Sequence, residues 1–202
     1  LPFTNDEAVD SINFLSIGFA DDIITRLSYA RALTVKPTSA VARYQGQIVN
    51  ALDAGKELKA DYVLEGRYRK KGDRFTVTAQ LVDAQTGNIV WSDHSSSNIP
   101  WIDMQSTQEG VVNHIVEALR LELTTNEYNE MHKVRTGSAE AYEYYLRGVA
   151  LTVKDSRENN EMAMKMFERA ISLDENFAEA YASLSNVYTE RFWSNYSLDT
   201  GW

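Results

Sequence analysis

The stretch from Ala139 to Tyr188 constrains the fold most, because its apolar residues recur at helical spacing. The two runs are Ala163, Met166, Phe167, Ala170 and Ile171, then Ala178, Tyr181, Ala182, Leu184, Ser185 and Tyr188. Steps of three and four residues place side chains on one face of a helix. Tyr144 and Tyr181 lie 37 residues apart in similar surroundings, and a period of this size indicates stacked helical repeats. The stretch is therefore predicted to form one helical hairpin and the first helix of another.

These residues resemble a tetratricopeptide repeat. Positions that match the family's signatures are Gly148, Ala163, Phe167, Ala170, Tyr181, Leu184, Ser185 and Tyr188. Two departures stand out: an insertion is expected in the turn at 154–159, and Glu175 replaces the usual proline. The resemblance implies all-α hairpins over residues 137–202, with one repeat complete and the second partial. An ordinary helical bundle is the alternative.

The composition limits the class of protein. The chain is 44% hydrophobic and 24% charged, which is typical of a globular protein. Its net charge of −9 argues against a broad nucleic-acid surface. The absence of cysteine excludes thiolate chemistry, and no apolar run has the roughly 18 residues of a membrane span. We therefore expect neither a nucleic acid nor a membrane span in this segment.

Residues 1–136 are predicted to form an α+β domain with a mixed sheet and helices. The first half is read as a strand tail at 1–3, a polar loop at 4–16, a helix at 17–30, a strand at 33–35 and a loop at 38–48. Asn50 is expected to cap a short helix that buries Leu52 and Leu58.

An antiparallel meander follows. Its strands are predicted at 62–68, 75–81 and 89–93, with turns at 71–73 and 86–88. Alternation of Phe75, Val77, Ala79 and Leu81 with polar residues indicates one buried face. The serine run at 95–97 is read as a loop, and a helix with an apolar stripe runs from residue 103 to an end between 123 and 132.

This first block resembles the TolB amino-terminal-like domain from Leu1 to about Leu123. The matching segments are 18–28, 35–41, 55–58, 61–66, 72–74, 80–84 and 86–91. The resemblance implies tetratricopeptide repeats after the domain. It also implies an upstream effector, such as a class III nucleotide cyclase, a CadC-like winged-helix domain or a serine/threonine kinase. A membrane span often separates effector and domain, which implies a periplasmic or extracytoplasmic part of an inner-membrane protein; a cytoplasmic location is the alternative. The first strand and the second repeat both look truncated, so a longer protein is expected.

No catalytic constellation emerges from the sequence. His94, His114 and His132 lack the spacing of metal ligands, so each is read as a surface or capping residue. No phosphate loop or nucleophile motif is present. We therefore expect no enzyme activity in this segment, no metal and no cofactor.

Several charged and aromatic residues allow two interpretations. Asp21 and Asp22 are read as favourably placed near a helix N-terminus, or as partners of a cationic ligand. The basic cluster is read as protecting a strand edge, or as docking an acidic partner; it comprises Arg67, Arg69, Lys70, Lys71 and Arg74. Core packing is expected for Trp91 and Trp101. Packing on a following repeat is expected for Phe192, Trp193, Tyr196 and Trp202.

Two functional hypotheses remain open. In the first, the segment is a non-catalytic sensory and interaction region of a bacterial signalling protein, with a protein or peptide bound in the repeat groove and self-association into a homodimer. The groove candidates are Tyr144, Arg147, Asn186 and Glu190. In the second, the α+β domain binds a small ligand between the loops at 4–16 and 38–48, and the repeats support it.

Overall fold

A computed structural model of the chain describes residues 1–7, 12–71, 74–97, 104–154 and 156–193. The chain divides into two compact units, Leu1–Lys133 and Val134–Trp202. The first contains a mixed sheet with helices, and the described part of the second is helical. This confirms the predicted fold class. The assignment of residues 1–136 and 137–202 to particular domain families stays a prediction.

Four strands form one sheet in the order β1-β2-β3-β4: β1 Thr4–Asn5, β2 Tyr62–Lys71, β3 Arg74–Asp83 and β4 Ile89–Ser97. β1 is parallel to β2, and the other two pairings are antiparallel. β2 and β3 stay in register from Tyr62 opposite Asp83 to Lys71 opposite Arg74. The predicted turn at 71–73 includes Gly72 and Asp73, which lie outside the described residues.

The alternation along β3 buries one face of the sheet, as predicted: Val77, Ala79 and Leu81 are buried. An aromatic layer continues this core. The ring of Phe19 lies 5.5 Å from that of Phe3 and 6.4 Å from that of Tyr68. The Tyr68 hydroxyl donates to the carbonyl of Ile12 at 3.1 Å, and burial raises the pKa of Tyr68 well above its usual range.

The helices described in the first unit are α1 Phe14–Leu27, α2 Thr38–Val41, α3 Ala51–Leu58, α4 Met104–Ala118 and α5 Thr125–Met131. Asn50 caps α3 as predicted, since its side chain accepts from the Leu52 N–H at 2.8 Å. The predicted burial of Leu52 and Leu58 is wrong, because both stay half-buried. The buried face of α3 consists of Ala51, Ala54 and Gly55, because small residues let this helix lie close to the chain at Ala84.

Three predictions for the first 48 residues are wrong. The polar loop at 4–16 contains β1 and the start of α1, and Ile12 and Leu15 are buried. The segment at 38–48 contains α2 and a 3-10 turn, Ala42–Tyr44. Residues 33–35 form no strand, because a strand requires a paired neighbour and none of the described strands lies beside them.

Two predictions for residues 95–132 are also wrong. The serine run at 95–97 belongs to β4, because it continues opposite β3 as far as Phe75. The helix expected from residue 103 stops at Ala118, and Arg120 adopts a left-handed conformation with φ of 50°. That conformation ends a helix. Thr124 and Glu127 then form a capping box that starts α5.

Asp21 and Asp22 lie in the middle of α1, so their predicted placement at a helix N-terminus is wrong. The predicted start was too late by three residues, which shifted both carboxylates towards the N-terminus. The Asp22 carboxylate accepts from Arg26 Nε at 2.7 Å, and both side chains are buried. Arg26 also donates to the carbonyl of Met131 at 2.7 Å, which links α1 to the end of α5. The Asp21 carboxylate accepts from the Thr38 hydroxyl at 2.7 Å.

The second unit contains α6 Ala139–Thr152, α7 Arg157–Leu173 and α8 Ala178–Trp193. The helical hairpin and the following helix are therefore present. Ser156 caps α7 by accepting from the Asn159 N–H at 3.1 Å. The predicted insertion at 154–159 is consequently part helix, because this serine starts α7 early. None of the helices in the described ranges is long and apolar enough to cross a membrane.

Candidate functional site

A shallow groove runs along one face of α8. We call it the α8 groove, and its residues are Tyr181, Leu184, Ser185, Tyr188, Thr189 and Phe192. Tyr181 is 49% exposed, Tyr188 is 48% exposed and Phe192 is 70% exposed. A different face of α8 packs inside the unit through Ala180 and Val187, which are fully buried. The groove is thus an exposed apolar face on a helix that is already anchored.

The 37-residue period relates the α8 groove to a packed face on α6. Gly148 on α6 corresponds to Ser185 on α8. On α6 this position lies under the buried ring of Phe167 from α7, and a β-carbon there would be 2.5 Å from the ring. On α8 the corresponding position is exposed in the described part of the chain. The two positions therefore differ: Gly148 is covered by Phe167, whereas Ser185 is exposed and carries a side chain.

A second candidate site lies in the first unit. A cavity of about 550 Å³ opens between α1, the end of α4 and the start of β2. Aliphatic side chains dominate its walls and include Ile23, Ile24, Leu27, Leu64, Ile115 and Leu119. Two continuous stretches, 32–36 and 58–64, also line it. The cavity therefore combines apolar side chains with two lengths of main chain.

One comparison with known proteins concerns the unit that holds this cavity. A family model described as "HilA/YgeH-like transcriptional regulator, second domain" matches residues 1–109. That match covers more than half of the chain. The chain belongs to this family. The matched segment includes all four strands of the sheet.

A relative of this HilA/YgeH-like chain is the protein named "Putative adenylate cyclase 3" of Rhizobium meliloti (strain 1021). The two are 29% identical over 187 residues. The aligned region is 93% of this chain and 32% of the relative, so the chain spans about a third of the relative's length. Regulatory and signalling proteins are therefore the class to which the chain is related.

A search of solved structures returns the LpoB C-terminal domain from Salmonella enterica at 14% identity. The similarity covers 48% of this chain and 76% of that one, with a TM-score of 0.25. A score this low supports no argument about fold or function.

The structure places the predicted groove residues on two helices of the second unit. Tyr144 and Arg147 lie on α6. The Arg169 guanidinium lies 5.7 Å from the centre of the Tyr144 ring, and Arg147 donates to Glu143 at 3.0 and 2.6 Å. Both residues are half-buried. Their side chains are therefore already held by neighbours from α6 and α7.

Asn186 and Glu190 lie exposed on α8. At 3.6 residues per turn they face roughly 150° away from the middle of the α8 groove. The role of all four predicted residues in binding a partner stays a prediction. Four of the groove residues were read as fold signatures: Tyr181, Leu184, Ser185 and Tyr188. Phe192 was expected to pack on a following repeat, and Thr189 was not singled out.

The cavity does not lie where the sequence placed a ligand site. Of the two loops predicted to line it, the described residues contribute only Val41. The described part of the first loop contains β1 and the start of α1, and α2 occupies part of the second. Ligand binding between these two loops stays a prediction. No signal in the sequence marked 32–36 as a cavity wall.

Each of the three histidines contacts a different neighbour. His94 on β4 hydrogen-bonds the Thr78 hydroxyl at 2.9 Å. The ring of His114 lies 5.1 Å from that of the half-buried Trp91. His132 follows the last turn of α5 and hydrogen-bonds the Asn113 side chain. Across the described ranges, no group of three or more His, Cys, Asp or Glu residues could hold a metal ion.

The other singled-out residues are mostly exposed. On β2, Arg67, Arg69 and Lys71 are exposed and Lys70 is half-buried; the side chain of Arg74 is outside the described set. Phe192 and Trp193 are 70% and 77% exposed, with ring centres 5.8 Å apart. The predictions for Trp101, Tyr196 and Trp202 fall outside the residues that the structure describes.

Proposed function

We propose that this chain is a non-catalytic sensory and interaction region of a bacterial signal-transduction protein. The observation that carries the proposal is the α8 groove, an exposed apolar face on a helix that is anchored through Ala180 and Val187. Exposed apolar patches of this kind mark surfaces for protein interaction. Membership of a regulator family and the relation to a protein named as an adenylate cyclase support a regulatory role.

The occupant of the α8 groove is proposed to be a helix. The corresponding face of α6 already binds α7 through Gly148 and Phe167. Helix-in-groove recognition uses side chains at steps of three and four residues, and Tyr181, Leu184 and Tyr188 supply that spacing. A second copy of the chain is the first partner to test, because α8 is itself an amphipathic helix with exposed aromatic residues.

The resemblances to TolB amino-terminal-like domains and tetratricopeptide repeats supply the wider proposal. In it, the region is attached to an upstream effector such as a nucleotide cyclase or a DNA-binding domain. Association at the groove would regulate that effector only if it stabilised one effector state more than another. The proposed location is the extracytoplasmic side of an inner membrane, and the cytoplasm is the alternative.

Single-cysteine variants test the groove, since the natural chain contains no cysteine. Ser185→Cys places a thiol in the groove, and Asn186→Cys places one on another side of the same helix. Light scattering after size exclusion would measure molar mass over a wide range of concentration, and thiol labelling would be timed over the same range. We expect the mass to rise with concentration while labelling slows at position 185 and not at position 186.

A constant monomer mass with unchanged labelling at both positions would contradict self-association through α8. A rising mass with unchanged labelling at both positions would place the interface elsewhere. Tyr188→Glu provides an independent check, because a charge in the groove should abolish the association.

Binding of a small apolar ligand in the first unit is the second candidate function. The cavity of about 550 Å³ falls within the range of ligand pockets, roughly 300–1,000 Å³. A ligand that binds only the folded state raises the melting temperature. Decanoate is a suitable probe, and an unchanged melting temperature at saturating decanoate would argue against this class of ligand.

A further inference from the structure

Alternation along β2 divides the basic cluster between the two faces of the sheet. Tyr68 points into the aromatic layer, where its ring lies 6.4 Å from that of Phe19. Successive side chains of a strand point to opposite faces, so Arg67, Arg69 and Lys71 share the face away from this layer. All three are exposed, and we call the face that they occupy the open face.

The other two basic residues stand differently. Lys70 is half-buried and pairs in register with Phe75, whose ring lies 6.1 Å from that of Phe19. It therefore belongs to the aromatic side of the sheet. Of Arg74, only the main-chain position opposite Lys71 is described. The described side chains of the open face thus include three exposed cations on one strand, each two residues from the next.

The neighbours of these cations on β3 and β4 are polar. Thr76 lies opposite Arg69, and Thr78 lies opposite Arg67. The Thr78 hydroxyl is hydrogen-bonded to the ring of His94 at 2.9 Å. Stable membrane attachment combines cations with inserted apolar groups, which these neighbours do not supply. The composition therefore favours a polar, anionic partner over a lipid bilayer.

The row of cations has a defined end. Two residues before Arg67, the carboxylate of Glu65 accepts from the Gln80 amide. Beyond it, Val63 lies in one buried cluster with Ala51 of α3, so this part of the same face is covered. A carboxylate placed beside Glu65 would be repelled, because like charges on neighbouring strands are destabilising. The stretch of β2 that suits an acidic partner therefore begins at Arg67.

We propose that the open face binds an extended acidic segment of a partner protein, with carboxylates at every second residue. Cations two residues apart on a strand lie roughly 6.7 Å apart, and alternate side chains of an extended peptide have the same spacing. A guanidinium group binds a carboxylate through two parallel hydrogen bonds, so the two arginines fix the register of the segment. The assignment does not rest on the α8 groove.

Charge complementarity supports this partner. The chain has a net charge of −9, so a row of three cations is a local exception to its overall charge. Within the described ranges, none of the ion pairs involves Arg67, Arg69 or Lys71. Their positive charge is therefore available to carboxylates from outside the chain.

Fluorescence anisotropy with labelled peptides tests the spacing on the natural chain. The probe is Ser-Glu-Ser-Glu-Ser-Glu-Ser, and the isomer Glu-Glu-Glu-Ser-Ser-Ser-Ser has the same composition and charge. We expect the alternating peptide to bind several-fold more tightly at low ionic strength, because its carboxylates match the spacing of the cations. Added salt should weaken this binding. Equal binding of the two peptides would overturn the proposal.

Replacement of the three cations by glutamine identifies the surface. Arg67→Gln, Arg69→Gln and Lys71→Gln in one chain should weaken binding of the alternating peptide roughly tenfold, since each exposed ion pair contributes little alone. The matched control replaces three exposed lysines elsewhere with glutamine: Lys56, Lys133 and Lys165. Both triple variants change the net charge by the same amount. Equal weakening in the two would contradict binding at the open face.

Two further measurements complete the test. Melting followed by circular dichroism should give the same temperature for both triple variants, because the replaced side chains are exposed; if one variant melts lower, the two peptides compared on the natural chain still decide the question. Vesicles of phosphatidylglycerol test the alternative partner. Binding to vesicles without binding of the alternating peptide would overturn the proposal in favour of a membrane surface.

Discussion

Phe167 on α7 lies over Gly148 on α6 so closely that a β-carbon on Gly148 would be 2.5 Å from the ring. The ring is fully buried and cannot move aside without disturbing Tyr145, whose ring centre is 5.9 Å away. Gly148→Ala should therefore destabilise the second unit by about 1–3 kcal/mol, the usual cost of overpacking. Chemical denaturation followed by circular dichroism would measure the change.

Gly110→Ala is the matched control for this substitution. Gly110 lies within α4, and a β-carbon there would meet nothing within 4 Å. Alanine is favoured over glycine in a helix by roughly 1 kcal/mol, so this variant should be as stable as the natural chain or more so. If the two substitutions changed the stability equally, the loss in Gly148→Ala would not be caused by the contact with Phe167.

The buried pair of Asp22 and Arg26 should contribute far more to the free energy of unfolding than an exposed pair at the same spacing. Asp22→Ala leaves the Arg26 guanidinium buried without its carboxylate, which typically costs about 3–5 kcal/mol. Glu161→Ala breaks the pair with Arg157, in which the joined atoms are 3.2 Å apart and the side chains are 44% and 40% exposed; exposed pairs contribute about 0–1 kcal/mol. Urea denaturation would measure the free energy of unfolding of both variants. Similar decreases in the two would contradict a larger contribution from the buried pair.

The first unit should become less stable in acid, because protonation of Glu127 removes the stabilisation that its hydrogen-bonded carboxylate provides. The Thr124 hydroxyl, the Arg31 N–H and the Thr124 N–H donate to its carboxylate and lower the pKa of Glu127 to about 2. Because the folded pKa is below the ordinary value of about 4.5, the stabilisation is complete above that value and is lost as the pH falls towards 2. Melting temperatures measured across this range would report the loss.

The Glu127→Gln variant should be less stable than the natural chain at neutral pH. This difference in stability should become smaller as the pH falls from about 4.5 to about 2. Thr124→Ser keeps a hydroxyl in place and should retain the natural pH dependence, whereas Thr124→Ala should reduce it. A difference in stability between the natural chain and the Glu127→Gln variant that stays constant over this range would contradict the role of Glu127.

Local patterns predicted the elements whose partners are close in the sequence. The alternation in Phe75–Leu81 was enough to identify β3 and its buried face, because adjacent strands and short turns determine a meander. The helical spacing in 139–188 identified α6 and α7 for the same reason. The T-x-x-E sequence at Thr124 was also available, although it was not used to separate α5 from α4.

The candidate sites were predicted less well. Of the four residues chosen from the sequence, Asn186 and Glu190 lie on α8 but face away from the α8 groove. Tyr144 and Arg147 lie on α6, next to Arg169 and Glu143. A ligand site was predicted between the loops at 4–16 and 38–48, of which only Val41 lines the cavity among the described residues. Exposure and concavity depend on which faces of distant elements meet, and periodicity alone does not reveal that.

The sequence by itself determined the α+β class, the meander and the helical hairpin, because their patterns depend on short-range spacing. Only the tertiary structure decided that Asp22 is buried against Arg26, that 33–35 stay outside the sheet, and that the α8 face remains exposed in the described chain. The first result depends on a neighbour far away in the sequence, because the carbonyl of Met131 also holds Arg26. The other two depend on which surfaces find no partner among the described residues: none of their strands pairs with 33–35, and none of their helices covers Ser185. Pairing and burial are properties of two surfaces, and a local pattern specifies only one of them.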